Sequence, residues 1–147
     1  MKGFSFRLDR ILKLREDAEH QQARVMGEAS RAEADLDDRC RDQAQHLKTV
    51  GEQATPAPGL RTSAGMLQIL QLTSDAAVRQ LDQSEKARAE ASKVTDLERE
   101  RLQAARRDRK TLERLKEQKH LQWREDEVRD ERKTMDEIAS RPRGETQ

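Results

Sequence analysis

The chain has 147 residues, of which 40% are charged, 33% apolar and 2% aromatic; an ordinary globular domain is about half apolar and about a quarter charged, so a sizeable buried core is excluded. Thirty basic residues offset 29 acidic ones, for a net charge of +1. That balance excludes a chain that coats nucleic acid by bulk charge, and it differs from the one-sided charge of most disordered proteins. What remains is the composition of a coiled coil.

Cys40 is the single cysteine, so an internal disulfide and a cysteine-cluster metal site are both unavailable, and a reduced, cytosolic compartment fits. No apolar run approaches the ~20 residues of a membrane span, and the first eighteen residues lack the apolar core of a signal peptide.

Taken in order, Phe4 and Phe6 are followed by apolar residues at Leu8, Ile11, Ala18, Val25, Ala29, Ala32 and Leu36, mostly in steps of three and four. This spacing predicts a helix over residues 4–50 with a narrow seam of coiled-coil width. A four-residue step from Leu36 to Cys40 reads as a stutter, and Gly27 as a soft spot costing about 1 kcal/mol relative to Ala. Residues 51–65 hold both interior prolines and three of the six glycines, which predicts a turn where the chain reverses.

A second helix is predicted over 66–140, followed by a disordered tail at 141–147. No Gly or Pro lies between Gly65 and Pro142. Leu67, Leu70, Ala77, Leu81, Ala91, Leu102, Ala105 and Leu112 recur at near-heptad intervals. At ~1.5 Å per residue the second helix alone is roughly 110 Å long, so the expectation is a single rod. The fold class is all-α: a long two-helix antiparallel coiled-coil hairpin with a longer C-terminal helix. Pairing outward from the turn, the first arm runs out opposite residue 112, which leaves Glu113 to Ile138 as an overhang without an internal partner. Leu121, Val128, Met135 and Ile138 form a thin apolar stripe within it.

Charge is sorted along this helix. From Arg99 to Arg124 there are ten basic and four acidic residues, net +6; from Glu125 to Glu137 there are three basic and seven acidic, net −4. The basic band admits three readings: a solvated coiled-coil face with local ion pairs, a docking surface for an acidic protein partner, or a nucleic-acid contact. The last is weakened because Trp123 is the only nearby stacking platform. Trp123 itself reads either as an interface anchor or as a ring lying along its own helix. His20, His46 and His120 are too far apart for a metal site and read as surface residues, and Cys40 reads as a small seam hydrophobe. No phosphate loop, nucleophile elbow or zinc-protease motif is present, so no enzymatic role, cofactor or small-molecule substrate is expected.

Two stretches, FSFRLDRILKLRE at Phe4 to Glu16 and LERLKEQKHLQWREDEVRDERKTMDEIA at Leu112 to Ala139, resemble the two ends of the flagellar export protein FliJ family. The resemblance implies an antiparallel hairpin similar to the central stalk of rotary ATPases. Its paired ends would enter a hexameric flagellar export ATPase, and its body would meet a membrane export gate protein and export chaperones. The protein would be cytoplasmic and peripherally associated with the basal body at the inner membrane, and a monomer on its own. On that analogy Leu8, Ile11, Leu112, Arg114, Leu115, Lys116 and Trp123 lie at the ring end, and the basic band adds Arg109, Lys110 and Lys119. A related type III secretion stalk would differ only in system. The rival classes are a homodimeric coiled-coil scaffold and a nucleic-acid-binding rod.

Overall fold

The structure, a computed structural model, describes residues 3–55, 57–59 and 61–141. Two helices account for nearly all of them: α1 (Asp9–Ala54, 46 residues) and α2 (Ala64–Ser140, 77 residues). The fold is an all-α antiparallel coiled-coil hairpin whose second helix is the longer.

The first helix starts at Asp9, five residues later than the apolar spacing predicts. Asp9 places a carboxylate in the positive first turn of the helix dipole, and residues 3–8 precede the helix. At its other end α1 runs through Gly51 to Ala54 rather than stopping at Val50. Thr55 takes over there, its hydroxyl donating to the Gly51 carbonyl at 3.1 Å. A proline follows Thr55 in the sequence, and the residue before a proline disfavours the helical region. Gly59 turns the chain with φ of 96°, a conformation that costs any residue with a side chain. Ser63 caps α2, its hydroxyl accepting from the Met66 amide at 3.2 Å. The connection is therefore residues 55–63, shorter than the expected 51–65. Of the expected tail 141–147, all but Arg141 lies outside the described residues.

The chain divides into two compact units, Gln21–Gln103 and Met1–His20 with Ala104–Gln147. In the first of these, Gln22 meets Glu98 and Asp37 meets Arg88, so later positions in α1 face earlier ones in α2. From Met26 the shielded side of α1 is Ala29, Glu33, Leu36, Cys40, Gln43, Leu47, Val50 and Ala54, in unbroken alternation of three and four. The expected stutter at Leu36 to Cys40 is absent, because Glu33 and Gln43 occupy seam positions that an apolar count passes over. Ala32, expected in the seam, is exposed.

The facing side of α2 is Leu70, Ser74, Ala77, Leu81, Ser84, Ala91, Thr95, Glu98 and Leu102. Leu67, which the heptad count includes, is 49% exposed. The fully buried apolar side chains here are Cys40, Val50, Ala77 and Leu102, a narrow two-helix seam instead of a globular core.

Polar layers interrupt this seam. Gln22 Nε2 donates to the Glu98 carboxylate and also to its backbone carbonyl at 3.3 Å, while Arg101 holds the same carboxylate at 2.8 Å. Asp37 is bound by Arg41 at 2.6 Å and by Arg88 at 3.2 Å. The Arg41 hydrogen bond, more than burial opposes it, holds the Asp37 carboxyl below its usual range.

Candidate partner-binding end

The unit formed by Met1–His20 and Ala104–Gln147 carries all ten residues that the sequence assigns to partner binding. Its two segments run antiparallel: Asp9 meets Lys116 at 2.6 Å and Arg15 meets Asp108 at 3.3 Å. Next to the Arg15–Asp108 pair lies a charged layer. Glu19 is bound by Arg109 and, at 3.5 Å, by Arg106, and Arg109 also reaches Glu113 at 2.6 Å. Glu19 and Arg109 are largely shielded, with side-chain exposures of 15% and 24%. Leu12, 5% exposed, is the one fully buried apolar side chain of this unit among the described residues. Ion pairs thus surround a single buried leucine at this end, whereas the other unit buries Cys40, Val50, Ala77 and Leu102.

The charge layer has a pH signature. The Arg109 hydrogen bond outweighs desolvation and holds the Glu19 carboxyl below its ordinary value. A carboxyl with a depressed folded value contributes fully at neutral pH and loses that contribution as the pH falls through it. Acidification through and below that depressed value should therefore loosen residues 9–20, seen as faster amide exchange. Glu19→Gln should be less stable at neutral pH and converge with the parent chain in acid; parallel titrations of the two would count against the Glu19 layer.

Residues 3–8 precede the helix and bring two aromatic rings against α2. The Phe4 ring lies 4.9 Å from that of His120, edge on, and 6.0 Å from that of Trp123; His120 and Trp123 stack at 5.9 Å. Lys116 Nζ sits 6.0 Å from the Phe6 ring centre. Asp9 at the start of α1 already faces Lys116, and the strap carries the pairing on to His120 and Trp123, past the residue 112 expected from counting outward from the turn. The overhang therefore begins at Arg124 and not at Glu113. From Arg124 to Arg141 every residue except Glu127 is exposed.

The ten assigned residues separate into groups. Arg109, Leu112 and Lys116 belong to the intramolecular seam, half-buried and, for the two cations, ion-paired. Leu8, Leu115, Lys119 and Trp123 line one open cleft of about 600 Å³ together with Phe4 and Phe6. Lys110 and Arg114 are exposed, with no carboxylate at ion-pair distance among the described residues. Ile11 is 43% exposed, displaced from the seam by its neighbour Leu12.

Two sequence-based expectations are corrected here. Trp123 does have internal partners, and His120, read as a surface histidine, stands half-buried between Phe4 and Trp123. The signal was present in the three-residue spacing of His120 and Trp123, which puts both rings on one helix face. Among the described residues no group of three or more His, Cys, Asp or Glu side chains is placed to hold a metal, and no helix is long and apolar enough to cross a membrane.

The chain is a two-helix coiled-coil hairpin. Residues 4–143 match the family described as flagellar FliJ protein. The chain belongs to the flagellar FliJ family, a family of flagellar type III export components. Searches of the curated proteins and of the solved structures found no match.

Proposed function

We propose that this protein is a non-enzymatic stalk of the flagellar export apparatus that inserts its terminal unit into the hexameric export ATPase, promoting assembly and turnover of the ring. The observation that carries the reading is the pairing, at one end, of an aromatic-lined cleft with exposed Lys110 and Arg114. Apolar side chains that are only half covered supply contact area, and cations without internal partners lose little by meeting an acidic surface. Lys116, bound to Asp9, is better suited to holding the end together than to contacting the ring. At the opposite end of α2, Met66, Leu67, Ile69 and Leu72 are about half exposed or more. This apolar, nearly uncharged patch is the surface we assign to the export gate or its chaperones. Association with the inner membrane would then be indirect, through these partners.

The test is the hydrolysis rate of the cognate export ATPase at concentrations where its ring is partly assembled. The full chain should stimulate it. Lys110→Glu with Arg114→Glu should reduce apparent affinity at least tenfold, about 1.4 kcal/mol, with helicity unchanged. Failure of the helical full-length chain to stimulate would refute the stalk reading; stimulation untouched by the double reversal would refute the assigned electrostatic contact.

A further inference from the structure

From Leu121 onward, α2 presents a second apolar line that the hairpin does not use. Leu121, Val128 and Met135 follow one another at seven-residue intervals with Ile138 three further on, and they are 57%, 47%, 69% and 59% exposed. The intramolecular contacts leave from the other side of the helix, at Leu112, Lys116, His120 and Trp123. At about 100° per residue, Leu121 points roughly 160° away from Trp123. The stripe is therefore a separate line, with Leu121, Val128 and Met135 at one heptad position and Arg124, Glu131 and Ile138 at the companion position, open to another helix.

Its flanks are acidic. Residues 125–137 carry a net charge of −4. Two of the three cations there are paired locally, Arg129 with Asp126 at 3.2 Å and Lys133 with Asp130 at 3.4 Å, which leaves Arg132 alone among the carboxylates. Glu125, Glu127, Glu131, Asp136 and Glu137 have no ion-pair partner among the described residues.

A second copy of this chain fits poorly. The basic band that would have to face these carboxylates carries Arg107, Lys110, Arg114 and Glu117 at the matching heptad positions, so Val128, Met135 and Ile138 would meet charges instead of apolar side chains. The occupant must supply both an apolar seam and cationic flanks.

We infer that residues 121–138 form a docking face for a basic amphipathic helix of another protein, one with aliphatic residues at heptad spacing flanked by Lys or Arg. This surface is distinct in charge and position from the basic face assigned to the ATPase. Helices without an internal partner draw their stability from packing, so binding and ordering of this extension are coupled.

The test uses the full chain and a synthetic three-heptad helical peptide with Leu at the seam positions and Lys at the flanking ones, followed by fluorescence anisotropy. Binding should protect the amides of residues 121–138 from exchange and weaken steeply with salt. Val128→Gln with Met135→Gln, which keeps good helix formers at exposed positions, should reduce affinity at least tenfold, whereas Lys110→Glu with Arg114→Glu should not reduce it. The inference is overturned if a Glu-flanked peptide binds as well, if the glutamine variant binds undiminished, or if protection maps elsewhere. Self-association of the chain alone that is lost in the glutamine variant would overturn it in favour of a second copy. The ATPase measurement is independent of all these results, so either reading can fail without the other.

Discussion

Leu12→Ala should destabilise the hairpin by about 3 kcal/mol, while Ile11→Ala should cost about 1 kcal/mol or less, measured by urea unfolding of the full chain. The two residues are adjacent, aliphatic and equal in carbon count, so their difference isolates environment. Leu12 is 5% exposed and is the one fully buried apolar side chain of the terminal unit among the described residues; Ile11 is 43% exposed. Truncating Leu12 removes transfer energy and leaves a void that a two-helix seam cannot fill from other layers. Truncating Ile11 removes a partly hydrated side chain. Equal effects, or a larger one at Ile11, would mean that α1 is rotated about its axis by one residue from the arrangement described.

The second large effect is expected at the charged layer. Arg109→Ala leaves Glu19 and Glu113 close together without the guanidinium that bridges them. Removing one member of a shielded, hydrogen-bonded group costs more than the group as a whole contributes, because the remaining charges stay desolvated and repel. Amide exchange over residues 9–20 should rise roughly tenfold or more. The compensated variant Glu19→Leu with Arg109→Leu should recover much or all of that protection, since apolar residues of similar volume commonly match or exceed an ion pair in such a position. If the double variant is as labile as Arg109→Ala, the layer contributes through attraction and the argument from desolvation fails.

These sites also mark where the sequence was legible. Element type, the hairpin and the longer second helix follow from the absence of Gly and Pro after Gly65 and from heptad recurrence in α2, where Leu70, Ala77, Leu81, Ala91 and Leu102 are all shielded in the structure. The seam of α1 was harder to read. Scoring only apolar residues places it through Ile11, Ala18 and Ala32, whereas the shielded positions are Leu12, Glu19 and Glu33. Hydropathy treats a glutamate as solvent-facing and has no means of knowing that Arg109, 90 positions away, will meet it.

The same limitation hid where the strap goes. Phe4, Phe6 and Leu8 recur at every second residue, the period of extended backbone and not of a helix, so the departure of residues 3–8 from the helix was signalled locally, but their reach to His120 and Trp123 was not. Of the candidate site, the terminal location and the basic face were legible. The sorting of its cations into paired Lys116 and Arg109 and unpaired Lys110 and Arg114 was not, because it depends on which carboxylates the other helix presents.

The uninterrupted three-and-four alternation of Met26 to Ala54, facing Leu70 to Leu102, sets a rule for how the chain can change length. Removing one residue from either arm would turn every later side chain about 100° around its helix and expose the seam. Removing seven from one arm alone would restore that arm's own stripe but face Glu98 with the wrong layer, away from Gln22. Only matched excisions, seven residues from each arm at the same level, keep both periodicity and layer pairing. Relatives of different size are thus expected to differ by whole paired heptads between these positions, or freely within residues 55–63, and a chain shortened by one matched pair of heptads should still fold.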